Sequence, residues 1–394
     1  MQYKIPFSGR AHEYTQSEVD SVVLAMQSAV PLTQGQHQQT FQEKFCQYIS
    51  ADHAFALNNA TAGLELAAQL CQFKEGDEVI IPGHTFTASA YPFLKKGAKI
   101  AWADIDIETR VVTAETIEKC ITDKTKAIVV VHLYGYGADM PAIMQLAQEK
   151  GLIVLEDAAQ ALGVEVDGRM VGTFGDFGVF SFHSHKNMTT LGEGGMLTVK
   201  NDHIARILPM LRHNGHCGFD YDRESYWKPA MGNVDMPELN GEFLWPNNYC
   251  LGEVECALGV KLLDRVDQLN QEKRQRAIGF IDALSDFSEL KFHCEGSKRH
   301  NYHLLAAQMD NGRRDEFIKK MSEDKGIQCV VQYYPLYRYD LYKKMGQGDA
   351  NCANTDYFFD NMVSFPFHHM MSDDDFDFIL KSTKEVLSLM NNEK

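Results

Sequence analysis

The chain has 394 residues, enough for about two or three domains, and its 44% hydrophobic and 23% charged content is an ordinary globular mixture that excludes disordered and collagen-like chains. Lys and Arg total 38 against 54 Asp and Glu, and a formal charge of −16 has the wrong sign for gripping a polyanion, so nucleic acid is excluded as the main partner. The start lacks a basic region followed by an apolar one, no apolar run approaches the roughly 20 residues of a membrane span, and the nine cysteines contain no C-x-x-C pair; a cytoplasmic protein with reduced thiols is expected, with no membrane partner and no structural zinc.

Residues 78–82, 99–103, 126–132 and 152–156 are short apolar runs without strict alternation, as in strands buried on both faces. Between them lie segments with helical spacing. The clearest runs from Pro141 to Lys150, with Ile143, Leu146 and Ala147 inward, proline in the first turn and Gly151 as the stop. Gly178 to Phe182 and Met196 to Val199 continue the strands, so the sheet is expected to end near residue 200. This alternation predicts an α/β fold with a mostly parallel sheet. The stretch from Cys217 to Asn248 is irregular and long for a plain connection. One long helix is expected from Glu253 to about Leu284, bridging to a smaller α+β unit with strands at 302–308 and 328–332 around a helix at 314–321. The expected domains are a large one at 1–250 and, at 251–394, the bridging helix and a small C-terminal domain.

The segment with most chemical content runs from Ser181-Phe182-His183-Ser184-His185-Lys186-Asn187 to Gly192-Glu193-Gly194-Gly195. A lysine just past a buried strand, among hydroxyls and glycines, forms a Schiff base if its surroundings lower its pKa; the plain alternative is a solvated loop lysine. Asp157 ends another strand, where ligands of a parallel sheet bind, and enzymes that use pyridoxal 5'-phosphate (PLP) need an acid beside the pyridine nitrogen. Taken alone, Asp157 reads first as a helix N-cap. Asn59-Ala60-Thr61-Ala62-Gly63 opens a helix and offers N–H groups and the Thr61 hydroxyl to a phosphate. Phe86, in Pro82-Gly83-His84-Thr85-Phe86-Thr87-Ala88-Ser89, follows a strand directly and is placed either to stack on a flat cofactor or to fill the core.

These segments occur in the order Asn-Ala-Thr-Ala, Pro-x-x-Thr-Phe, Glu-Asp-Ala-Ala-Gln, Ser-Phe-His-x-x-Lys-Asn and Gly-Glu-Gly-Gly. In that order the chain resembles the sugar aminotransferases of the DegT/DnrJ/EryC1/StrS family, PLP enzymes of fold type I with the aspartate-aminotransferase architecture. The likeness extends from Ile5-Pro6-Phe7 and Leu32-Thr33-Gln34-Gly35 to Ser364-Phe365-Pro366-Phe367-His368. The resemblance implies that Lys186 carries the cofactor and moves the proton, and that Asp157 pairs with the pyridine nitrogen. It implies that Gln160 bonds the phenolic oxygen, that Phe86 stacks on the ring, and that Ala60, Thr61 and Ser181 hold the phosphate. Asn248 matches the asparagine that reaches the phosphate in the neighbouring subunit, which implies a homodimer. L-Glutamate is the implied amino donor and a sugar carbonyl the acceptor, in surface polysaccharide or lipopolysaccharide synthesis. The specific acceptor expected is 8-oxo-3,8-dideoxy-octulosonate, giving the 8-amino sugar acid; nucleotide-linked 3- or 4-ketosugars are the alternative.

The chain departs from the family pattern at four places. Ala60 stands for a common Gly, tolerable where the backbone avoids positive φ. Cys250 stands for the usual Arg after Asn-Tyr, Ser184 and His185 replace the familiar short residues before the lysine, and Tyr333 to Tyr337 lacks a common His. Lys186 argues against the dehydratase branch, which has His there. Gly135 to Met140 lacks the third glycine of a dinucleotide fingerprint, and no DNA-binding segment supports a regulator. His183 and His185 have strand spacing for chelation but no further ligand, so no metal is expected. Arg212, Lys228 and Arg338 are the candidate cations for a negatively charged sugar.

Overall fold

The uninterrupted apolar runs assemble into one seven-stranded sheet. Its strands are β1 (His53–Leu57), β2 (Glu78–Pro82), β3 (Lys99–Ala103), β4 (Thr125–Val131), β5 (Ile153–Asp157), β6 (Phe177–Ser181) and β7 (Gly195–Val199), in the spatial order β1-β7-β6-β5-β4-β2-β3. The computed structural model describes residues 3–9, 11, 13–219, 232–293, 296–310 and 312–392. Strands β6, β5, β4, β2 and β3 are parallel, and β7 runs antiparallel to both β6 and β1. From Ala127 to Val131 every residue of β4 is buried, as is all of β6, which is why these strands read as continuous rather than alternating apolar runs.

Helices cover the sheet: α1 (Gln16–Ser28), α2 (Gln36–Ile49), α3 (Ala60–Leu70), α4 (Met140–Lys150) and α5 (Asp202–Arg212). The start and stop signals of α4 act as expected, with Asp139 accepting from Ala142 N and Gly151 in the left-handed region at φ 66°. Helix α1 opens on a capping box formed by Thr15 and Glu18. Helix α2 is polar apart from Phe41, Phe45 and Ile49, which form one buried stripe.

The expected long helix is two helices, α6 (Glu253–Leu263) and α7 (Val266–Ala283). The break falls at Asp264 and Arg265, where no Gly or Pro marks it. Arg265 leaves helical geometry, and its guanidinium donates to Glu18 Oε1 at 2.6 Å, Glu18 Oε2 at 3.0 Å and Glu13 O at 2.7 Å, so a tertiary ion pair accompanies the kink. Helix α6 contributes Cys256, Leu258 and Leu262 to the core around the large sheet, and α7 carries Ala277 and Phe280 into a second core. That second core lies on an antiparallel sheet of β8 (Leu290–Phe292), β9 (Leu305–Met309) and β10 (Met362–Phe365), with helices α8 (Arg314–Glu323) and α9 (Asp373–Asn392). No strand forms at 328–332. Val330 makes an isolated bridge to Ser364, and Ile327 one to Ile5, so this segment ties the N-terminal arm to the small sheet instead.

Eight of the nine cysteines are described and free, and no helix among the described residues is long and apolar enough to cross a membrane.

Candidate active site

The C-terminal ends of the parallel strands open into a cavity of about 810 Å³. It lies where the chain switches direction, since β3 adds on one side of β2 and β4 on the other. Lys186, Asp157, Ala60, Thr61, Phe86, Gln160 and Ser181 all line it, so seven of the eight expected residues come together from segments over 120 positions apart.

At one end is the start of α3. Asn59 caps the helix by accepting from Ala62 N at 2.8 Å, and the N–H groups of Ala60 and Thr61 have no partner within the helix. With the Thr61 and Ser181 hydroxyls beside them, these groups make an anion site. Ala60 does not take positive φ, so the missing glycine costs nothing there. Gly195 is the constrained position: a Cβ on it would lie 2.5 Å from Asn59 C and 2.6 Å from Ala60 N, so only glycine lets β7 pack against this helix end. That close approach gives a physical reason for part of the Gly-Glu-Gly-Gly segment.

Asp157 closes β5, 5% exposed, and turns follow it rather than a helix, which corrects the N-cap alternative. Its Oδ2 accepts from Ser89 Oγ at 2.7 Å and its Oδ1 from Ala159 N at 3.1 Å. The preceding residue, Glu156, points to the opposite face of the strand. There it accepts from the N–H groups of Gly172, Phe174 and Gly175 and faces His132 Nε2 at 3.1 Å. Adjacent carboxylates thus divide into one that holds a turn and one that faces the cavity.

Lys186 sits in the loop after β6, its N–H donating to His183 O at 2.9 Å. Among the described residues its amine donates to no protein group. Burial lowers its pKa to about 8, with Asp157 pulling the other way. A nucleophilic amine and a carboxylate therefore face one cavity. Phe86 remains 53% exposed beside them, its ring centroid 6.0 Å from that of Tyr333. Gln160 accepts from Tyr134 N at 2.7 Å and donates one amide proton to Tyr333 Oη at 2.9 Å, which leaves its second proton for a ligand. Burial pushes the Tyr333 hydroxyl up to about 12, so it stays protonated.

Asn248 is the exception. It is exposed, bridged through its backbone to His213, and outside this cavity. The expected substrate cations are corrected too. Arg212 is buried and spends its guanidinium on Gln42 Oε1, Gln38 Oε1 and Ala56 O. Arg338 pairs with Asp356 at 2.6 Å beside a separate groove, and Lys228 lies outside the described residues. Lys186 is the single Lys or Arg among the described residues of the cavity wall, which carries His183, His185, His303 and His368 instead. His183 and His185 follow the end of β6 rather than lying in a strand, and no group of three or more His, Cys, Asp or Glu among the described residues is placed to hold a metal. Ser89, Tyr333 and His303 were not given roles in the sequence. Ser89 and Tyr333 do stand in segments that are legible there.

The model of the DegT/DnrJ/EryC1/StrS aminotransferase family matches residues 13–384. The chain belongs to this family. It is 31% identical to the spore coat polysaccharide biosynthesis protein SpsC of Bacillus subtilis, over 98% of this chain and 97% of that one. It is 31% identical to GDP-perosamine synthase of Caulobacter vibrioides, over 94% and 95%. The structure superposes on Spr1654 of Streptococcus pneumoniae in its PMP form with a TM-score of 0.86, at 25% identity, over 98% and 99% of the two chains. The protein is thus a PLP-dependent sugar aminotransferase with the type I fold. Its own residues fit that cofactor: a partnerless amine of lowered pKa, a buried carboxylate, an exposed ring and an anion site stand around one cavity.

Because the neutral amine is the nucleophile, PLP capture by the cofactor-free protein should accelerate as pH rises through about 8. Stopped-flow absorbance across pH measures this; a midpoint near the 10.5 of a free lysine would contradict the environment assigned to Lys186.

Proposed function

We propose that the enzyme moves the amino group of L-glutamate to the carbonyl of a nucleotide-linked ketosugar, in the synthesis of a surface polysaccharide or lipopolysaccharide. The observation that carries this reading is near-full-length similarity to a GDP-perosamine synthase and a spore coat polysaccharide protein, combined with an intact Lys186. Bound PLP supplies an electron sink that stabilises the carbanion formed when the amino-bearing carbon loses its proton. The chain's own residues do the rest. Lys186 would hold the cofactor through its neutral amine and would move the proton at the amino-bearing carbon of the substrate. Asp157 would keep the pyridine nitrogen protonated, the second amide proton of Gln160 would be offered to the phenolic oxygen, and Phe86 would cover the ring. The N–H groups of Ala60 and Thr61, with the Thr61 and Ser181 hydroxyls, bind the phosphate.

A second reading for the acceptor, 8-oxo-3,8-dideoxy-octulosonate, is favoured by the cavity wall. Cys250 replaces the family arginine, and neither Arg212 nor Arg338 lines the site, so among the described residues the wall offers histidines rather than guanidinium groups to an anion. That lining suits one carboxylate better than a diphosphate. Neither relative named above is described by an eight-carbon sugar acid. Incubating the pure enzyme with L-glutamate and each acceptor class, and assaying 2-oxoglutarate, separates the two: amination of a nucleotide-linked ketosugar is expected, and turnover of the 8-oxo acid alone would replace the first reading by the second.

The active sites are shared across a homodimer in this proposal. Val19, Val23, Leu24 and Met26 on α1, with Val30 and Leu32 after it, are exposed apolar side chains, and Phe243 and Trp245 are exposed just before Asn248. Exposed apolar side chains of this kind support an interface with a second copy, in which Asn248 would reach the neighbouring site. Mixing Lys186→Ala with Asn248→Ala should restore activity, because the hybrid dimer then holds one site with both residues intact. A mixture no more active than the Asn248→Ala protein alone would refute the shared site.

A further inference from the structure

Lys273 lies in the middle of α7, between the two cores, and is 7% exposed. The sequence gives it no distinction, since it stands among Glu272, Arg274 and Arg276. Among the described residues no carboxylate pairs with it. Its Nζ donates instead to Asn187 Oδ1 at 3.1 Å and to His303 O at 3.1 Å, and lies 5.0 Å from the centroid of the Phe367 ring. A buried ammonium without a counter-ion is costly, and an apolar side chain of similar length would fill the space at lower cost. Burial accordingly lowers its pKa to about 7.

What the lysine holds is the residue next to Lys186. The Asn187 amide is buried, and its Nδ2 donates to Asn270 Oδ1 at 2.8 Å and to Asn301 O at 3.4 Å. Asn270, also on α7, is itself held by donating to Leu162 O at 2.8 Å. A backbone carbonyl only accepts, so Asn301 O fixes the Nδ2 side of the Asn187 amide, and Lys273, which donates to Oδ1 in either protonation state, holds the other. His303 Nδ1 reaches the same Asn187 oxygen at 3.4 Å, and His303 and Phe367 both line the cavity. The titratable groups that feel Lys273 are His300, His303 and His368, each already lowered by burial.

We propose that Lys273 is a positioning residue for Lys186: from the helix between the two cores it fixes Asn187 and the main chain at His303, and so aims the reactive amine. This rests on Lys186 being the amine that takes the cofactor.

The test uses the PLP-loaded enzyme and three variants, Lys273→Met, Asn187→Ala and the double substitution. The pH midpoint of the absorption band of the lysine-linked cofactor should move by on the order of one unit in each single variant. The rate of the glutamate half-reaction should fall about tenfold with little change in KM, and the double variant should be no worse than the more damaged single one, because both act through the same amide. Unchanged midpoint and rate in Lys273→Met, or losses that add in the double variant, would overturn the proposal. Should Lys273→Met fail to fold, Asn187→Ala decides alone: a moved midpoint in a folded protein supports the positioning role, and an unmoved one refutes it. A parent enzyme that shows no such band would instead refute Lys186 as the cofactor lysine, and this proposal with it.

Discussion

An amine must be kept uncharged in a cavity that also contains a carboxylate, and the site is arranged around that contrast. The Lys186 amine loses water and gains no hydrogen bond from the described residues, so burial outweighs the attraction of Asp157 and its pKa falls to about 8. Asp157 receives donors, the Ser89 hydroxyl and the Ala159 N–H. A more open lysine loop would leave the amine protonated, and a carboxylate without those two donors would be free to turn onto it.

The sheet makes the contrast possible. Parallel strands put all their C-terminal ends on one edge, so residues at positions 86, 157 and 186 converge although each follows or ends a different strand. Strand β7 then reverses direction beside β6, and Gly195 lets its backbone press on the start of α3, which orients the anion site. The part of the chain after α7 adds His303, Tyr333 and Phe367 to the cavity wall.

The parallel strands were legible in the sequence because strands buried on both faces are short unbroken apolar runs, and the meeting of Lys186 and Asp157 at one cavity was legible because the segments around them occur in a fixed order. Other features were hidden for identifiable reasons. The stripe of Phe41, Phe45 and Ile49 in α2 is diluted by glutamines, and the break between α6 and α7 coincides with Arg265 gripping Glu18, a contact far apart in the chain. Arg212 looked like a surface cation and is buried on side-chain amides. Lys273 looked like one more charge on a solvated helix. For the three cations the deciding partner is not a neighbour in sequence: 247 residues separate Arg265 from Glu18, 170 separate Arg212 from Gln42 and 86 separate Lys273 from Asn187, and over such spans local pattern carries no information.

Two lysines with lowered pKa stand near this cavity, Lys186 and Lys273, and only the first lines it and has an amine without a hydrogen-bond partner among the described residues. The most direct measurement is to load the protein with PLP, reduce it with borohydride and locate the pyridoxyl group by peptide mass spectrometry. A single adduct on Lys186, lost in Lys186→Ala, is the expected result. An adduct on Lys273 or another lysine, or none at all, would contradict the assignment on which the chemistry rests.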